Sequence, residues 1–211
     1  MKDLREMTTA ELVSVTWSDA PAPGGGSIAA LAGSLGAALT GMVANLSQGP
    51  KYEAVREEMA AIAAEMQQLK DELLMDMKQD TEAFSLYMAA LAMPKNTDEE
   101  KLVRREKMQD GLKKAAETPL QVAKSILPVF AMAEKVLQSG NPNAATDALV
   151  SAMLARTGML GALLNVKINL GSIKDEEYVK AMACEVSALE KAALEGEKRV
   201  LARSEYSVSL C

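Results

Sequence analysis

The sequence predicts an all-α fold: a single-domain bundle of six or seven helices, one of them long and one uncharged and buried. Three observations lead there. Helical periodicity dominates the chain, no convincing run of alternating β-branched residues occurs, and the breaks fall at Pro and Gly clusters. With 211 residues, 49% hydrophobic and 25% charged, the chain is long enough for one proper core. No repeat or long linker divides it, so residues 1–211 are read as one domain.

The elements follow in order. Thr8 and Glu11 have capping-box spacing and open a first helix that runs to about Val15. The N-terminal segment is charged and amphipathic rather than signal-like. Pro21-Ala22-Pro23-Gly24-Gly25-Gly26 forces a loop, after which Ser27 begins an uncharged helix over residues 27–46. Its large apolar residues are separated by Ala, Gly, Ser, Thr and Asn. That composition is too weakly apolar for a membrane span and suits a core helix.

Gly49-Pro50 breaks this helix, and a long one follows over residues 52–91, ended by Pro94. Thr97-Asp98-Glu99-Glu100 starts the next, with anionic residues in its first turn. Thr118-Pro119 reads as a further start and Pro128 as a kink. Gly140-Asn141-Pro142-Asn143 is a turn. Helices over residues 144–170 and 175–202 complete the chain.

The composition excludes much chemistry. There is no histidine, and the two cysteines are Cys184 and Cys211. A Cys/His zinc site, a Ser-His-Asp triad and a Cys-His pair are therefore impossible within one chain, and no metal site is expected. Two such cysteines make no disulfide framework, so a reducing cytoplasm is the default. A net charge of −6 argues against an extended nucleic-acid surface. Proton transfer falls to Asp, Glu, Lys, Tyr or ordered water.

Two helix faces hold more than packing residues. Asp80 lies in the apolar stripe formed by Ile62, Met66, Leu69, Leu73, Met77, Phe84, Tyr87 and Leu91. Desolvation penalises a carboxylate there unless it meets a cation, donors or a water-filled cleft. A structural ion pair or a loop contact satisfies it as well as a functional site does. On the 144–170 helix, Asp147, Ser151, Leu154, Gly158, Gly161, Asn165 and Asn169 share a second stripe. It suits either a binding surface or a tight helix contact. The three glycines before residue 27 can present backbone N–H groups to an anion or form a turn, but they fit no nucleotide-binding fingerprint. Lys51, Lys95, Arg104 and Arg105 are candidates for an anionic ligand or simply a solvated face.

Taken together these segments resemble a known family. The run from Pro21 to Ser27, then Ala29-Ala30-Leu31 and Met42-Val43-Ala44-Asn45-Leu46, is similar to the opening signature of the cyclodeaminase/cyclohydrolase domain. The similarity continues through Lys51-Tyr52, Asp80 with Ala83-Phe84, Leu91 to Lys95, Thr97, Arg105, Ala116 and Pro119-Leu120. It then takes in Gly140-Asn141-Pro142-Asn143, Asp147, Asn165-Val166 and Asn169-Leu170. The matches spread over residues 20–175 and are far more specific together than singly.

The resemblance implies a homodimeric helical enzyme acting on tetrahydrofolate that carries a one-carbon unit. It implies 5,10-methenyltetrahydrofolate cyclohydrolase activity, with 5-formiminotetrahydrofolate cyclodeaminase activity as the alternative within the family. It implies no cofactor beyond the tetrahydrofolate substrate, while net charge and composition argue for neither a nucleic-acid nor a membrane partner. On the matched positions, Asp80 and Asp147 are the expected carboxylates at the reacting centre, with Lys51 as proton donor or tuning cation. Tyr52, Asn143, Asn165 and Asn169 are expected to hold the substrate, and Lys95 and Arg105 its anionic tail. Gly24, Gly25 and Gly26 would let the loop approach the pterin. Outside the enzyme class, the rival is a helical interaction module. The small-residue face formed by Gly33, Gly36, Ala37, Thr40 and Ala44 motivates a dimer contact, although a partner within the chain would satisfy it too.

Overall fold

A computed structural model describes residues 3–204 and residue 206. The all-α expectation holds, and no strand occurs among the described residues. The helices are α1 (Thr9–Trp17), α2 (Gly25–Asn45), α3 (Arg56–Leu91), α4 (Asp98–Ile126), α5 (Pro128–Ser139), α6 (Ala145–Leu170) and α7 (Glu176–Leu201). Short 3-10 turns at Leu4–Glu6, Pro50–Val55 and Pro142–Ala144 join them. Cys184 is an exposed free thiol, and Cys211 lies outside the described residues.

The starts are set by local hydrogen bonds. Thr8 with Glu11 and Thr97 with Glu100 form complete capping boxes, and Asp175 accepts from the Tyr178 N–H to cap α7. α3 begins at Arg56 rather than residue 52, because the chain first makes a 3-10 turn after Gly49-Pro50.

One predicted boundary is corrected. Thr118-Pro119 does not start a helix: α4 runs straight through it. Thr118 turns its hydroxyl back to the Lys114 carbonyl, so it does not cap. The carbonyl that Pro119 leaves without its helical N–H, that of Ala115, accepts instead from Asn169 Nδ2 at 3.0 Å. The break falls later, between α4 and α5 at Leu127-Pro128.

Helices α2, α3, α4 and α6 pack as a ring of four, while α5 and α7 close on the far side of α6. The four meet near Gly33 and Gly158. A Cβ on Gly158 would lie 2.8 Å from the Ala29 carbonyl oxygen and 3.0 Å from Ile126 Cδ1, so only glycine lets α6 approach α2 this closely. Further along the same contact, the fully buried Ser151 donates to the Gly36 carbonyl at 2.7 Å and lies 2.7 Å from Thr40 Oγ1.

The small-residue face of α2 is thus filled within the chain. A different face of that helix stays open, carrying Leu35 and Met42, with Leu46 just past its end. By length and composition α2 and residues 142–170 are each apolar enough to cross a membrane. Both are inner members of the bundle, and α2 packs against α3, α4, α5 and α6.

Candidate active site

The glycine-rich loop, α3, α4 and α6 enclose a cavity of about 350 Å³. Its walls include Gly24, Gly25 and Gly26 at the start of α2, Asp80 and Phe84 on α3, Ala115 on α4, and Asn165 and Asn169 on α6. The loop reaches α3 because Gly26 has no side chain. A Cβ there would lie 2.6 Å from Asp80 Cγ and 2.7 Å from its Oδ2. The carboxylate therefore rests against the first turn of α2, whose N-terminal residue Gly24 offers no side-chain cap.

Ser27, fully buried, has its hydroxyl 3.0 Å from Asp80 Oδ2 and 3.2 Å from the Met77 carbonyl oxygen. Burial pushes the Asp80 carboxyl above its ordinary value, while the Ser27 hydroxyl and backbone N–H pull the other way. Among the described residues, Asp80 is the only titratable group lining the cavity.

The two asparagines are oriented by the backbone. Asn165 Nδ2 donates to the Gly161 carbonyl at 2.9 Å. Asn169 Nδ2 donates to the carbonyls of Ala115, at 3.0 Å, and Asn165, at 2.8 Å. Asn169 spends both of its N–H donors on main-chain groups and Asn165 spends one, so the two amide oxygens and one Asn165 N–H are left for a ligand. Together with Asp80 they make an acceptor-rich wall, opposite in character to an anion site.

One helical turn further along α3 and α4, from Phe84 to Tyr87 and from Ala115 to Leu112, a second cavity of about 530 Å³ opens. Lys95, Lys101, Arg104, Arg105 and Lys174 line it. Arg104 is occupied with the Leu91 carbonyl at the end of α3, and Lys101 pairs with Asp98 at 2.8 Å. Lys95, Arg105 and Lys174 have no carboxylate partner among the described residues. An acceptor-lined pocket thus opens beside a cationic one.

The remaining expected site residues lie elsewhere in the chain. Asp147 is eighteen residues before Asn165 on α6, about 27 Å away along the helix. Asn143 stands in the turn before it, exposed. Lys51 and Tyr52 lie in the 3-10 turn beyond the far end of α2, with Lys51 Nζ 5.0 Å from the centre of the Tyr52 ring. The segments leading into the two turns meet where the Asn141 N–H donates to Ser47 Oγ at 2.7 Å. Within one chain, then, Lys51, Tyr52, Asn143 and Asp147 group at the end of the bundle opposite Asp80. The middle of the α6 stripe is helix contact, through Ser151 and Gly158, and only its last two asparagines face the cavity.

Sequence reasoning passed over Ser27 as a site residue, because a serine at a helix start reads as an ordinary cap. It also placed Phe84 on the apolar stripe without a role in the site, whereas this ring is 38% exposed and lines the cavity.

The sequence pattern of the formiminotransferase-cyclodeaminase family matches residues 8–188. The chain belongs to this family. The chain is 38% identical to a methenyltetrahydrofolate cyclohydrolase of Methylorubrum extorquens over 173 residues, which cover 82% of this chain and 83% of that one. It is also 38% identical to the formimidoyltransferase-cyclodeaminase of Gallus gallus over 182 residues, which are 86% of this chain but 34% of that protein. The chain thus spans about a third of the length of that relative. Among solved structures, the formiminotetrahydrofolate cyclodeaminase of Thermotoga maritima superposes with a TM-score of 0.83 at 30% identity, covering 94% of this chain and 96% of that one.

Proposed function

We propose that the protein is a 5,10-methenyltetrahydrofolate cyclohydrolase, adding water to the methenyl carbon to give 10-formyltetrahydrofolate in the cytosol. The observation that carries this reading is the half-buried Asp80 carboxylate in a pocket whose other polar side chains, among the described residues, are neutral amides and a hydroxyl. A reduced pterin is rich in N–H donors, which Asn165 and Asn169 oxygens can receive. The methenyl bridge is a cationic amidinium, which a desolvated carboxylate stabilises. The adjoining cationic cavity suits the glutamate tail, with Lys95 and Arg105 at hand. The relatives' names are those of folate enzymes, which sets the interaction module aside.

In this mechanism Asp80 takes a proton from water as its oxygen bonds to the methenyl carbon. The result is a neutral tetrahedral carbinol between N5 and N10. Asp80 then returns that proton to N5 as the carbon–N5 bond breaks. The carbinol hydroxyl loses its own proton to solvent and becomes the formyl carbonyl. One water is consumed and one proton released, and the sequence draws on no metal or redox cofactor. The deaminase alternative uses the same tetrahedral carbon: N10 attacks the formimino carbon and ammonia leaves. The likeness to the Thermotoga maritima enzyme keeps it as the second reading.

A homodimer belongs to this proposal. Leu35 and Met42 on α2 with Leu46 at its C-cap, and Val150, Leu164 and Ile168 on α6, form exposed apolar stripes on two helices that pack together. Ile168 sits on the rim of the Asp80 cavity. A two-fold axis perpendicular to these helices would bring the Lys51–Asp147 end of one copy to the Asp80 end of the other. That arrangement unites the two groups of family-matched residues in each site.

Ultraviolet assays with both substrates test the reading. Loss of the methenyl absorbance on adding the enzyme to 5,10-methenyltetrahydrofolate supports the cyclohydrolase. Its appearance from 5-formiminotetrahydrofolate, with no hydrolysis, selects the deaminase.

A further inference from the structure

Ser27 Oγ stands between two acceptors, Asp80 Oδ2 at 3.0 Å and the Met77 carbonyl oxygen at 3.2 Å, and is wholly buried. A hydroxyl has one proton to give and lone pairs to receive with. When Asp80 is ionised, the Ser27 proton points to Oδ2. When Asp80 is protonated, its carboxyl O–H can donate to Ser27 Oγ, and the hydroxyl proton turns to the Met77 carbonyl. Each state satisfies every group of the trio without water, at the cost of one hydroxyl rotation. An alanine would leave the carboxylate without this donor; a fixed donor such as an amide would serve only the ionised state.

We propose that Ser27 is a positioning residue whose rotating hydroxyl lets Asp80 accept and release a proton in place, during the cycle proposed above. This rests on Asp80 acting as the acid–base group of that reading. The surroundings leave the task to Ser27. Facing Asp80, α2 presents Gly26, α4 Ala115, and α6 Asn165 and Asn169, while Thr81 is the polar neighbour on α3 itself. None of these titrates or carries a charge. Gly26 fixes the carboxylate in reach of Ser27, since any Cβ would push it aside.

The test is a titration of Asp80 by carbon NMR in protein labelled at the aspartate carboxyl carbon, with the signal assigned from Asp80→Asn. In Ser27→Ala the midpoint should move to higher pH by about one unit, because a donor to the charged form is lost. The low-pH limb of kcat/KM should move with it, and Ser27→Thr should restore both. An unchanged midpoint in folded Ser27→Ala overturns the proposal, since a merely structural serine would alter melting and leave the titration alone. Should the alanine variant not fold, Ser27→Cys keeps the volume with a weaker donor, and its midpoint should move in the same direction; no movement overturns the proposal. The titration needs no substrate. Absence of turnover on either folate would therefore defeat the functional reading, while the NMR result still decides the role of Ser27.

Discussion

Asn169 donates through Nδ2 to the Ala115 carbonyl across 3.0 Å, standing in for the N–H that Pro119 cannot provide. A side chain on α6 thereby completes the ladder of α4 at the wall of the Asp80 cavity. Asn169→Leu should cost about 1–3 kcal/mol, because the Ala115 carbonyl is left unpaired. In a Pro119→Ala background the helical N–H returns and the same substitution should cost clearly less. Denaturant melts of the four proteins give the coupling, and additive losses would show that the two residues are unrelated. Folate affinity should fall with Asn169→Leu in both backgrounds, since the acceptor oxygen is gone.

Asp80→Asn should lower turnover by about 10²–10⁴ with helicity retained. Stability should respond in the opposite sense. The Asp80 pKa is raised in the folded protein, mainly by burial, so between the unfolded and folded values the native state holds more protons. Wild-type stability therefore falls over that window as pH rises. The melting temperature of the Asn variant relative to wild type should climb from about pH 4 and level off above the folded pKa. A variant that instead melts lower at neutral pH with normal turnover would mark Asp80 as a structural residue.

The bundle itself was readable because its signals are local. Thr8 with Glu11 and Thr97 with Glu100 bond to groups three residues away, and the sequence spacing alone contains that information. Thr118-Pro119 carries the same local sign and misleads. What keeps α4 intact there is an amide from Asn169, fifty-four residues beyond the Ala115 carbonyl that it satisfies. The candidate site shows the same limit. Periodicity put Asp147 and Asn169 on one face of one helix, and it could not tell that the middle of that face is consumed by Ser151 and Gly158 packing on α2. The family match chose both groups of residues, and a single chain separates them.

Gly26→Ala tests the close approach of loop and carboxylate. The new methyl must displace the Asp80 carboxyl from Ser27, so turnover should fall roughly tenfold or more. Alanine is the better helix former, so the melting temperature should change little. Undiminished turnover would mean that the carboxylate is free to work from another position.

Lys95→Gln and Arg105→Gln should each raise KM by about two- to fivefold for a polyglutamylated folate, leaving kcat nearly unchanged. The effect should shrink as salt is raised and be smaller still for the monoglutamate. Equal KM changes for both substrates would move the tail away from these residues.

If two copies build each site, Asp80→Asn and Asp147→Asn should complement. Each variant alone should be nearly inactive. A refolded mixture should regain activity, because the mixed dimer contains one site with both aspartates. Light scattering should give a dimer, which Leu35→Glu, on the exposed face of α2, should dissociate. No recovery in a mixture shown to contain mixed dimers would confine Asp147 to a structural role.

The packing of α2 on α6 also shapes how the protein is made. Thr40 and Ser151 touch across the helix contact, yet they are 111 residues apart in the chain. At about 5–20 residues per second, a ribosome needs roughly 6 to 22 s to deliver the second after the first. Through that interval an uncharged, glycine-rich segment waits without its main partner, covered first by α3 and only later by α4 and α5. The nascent chain is therefore most exposed to aggregation or to premature capture by chaperones before α6 emerges. Changes that make α2 more apolar should lower the yield of folded protein before they alter the stability of what has folded.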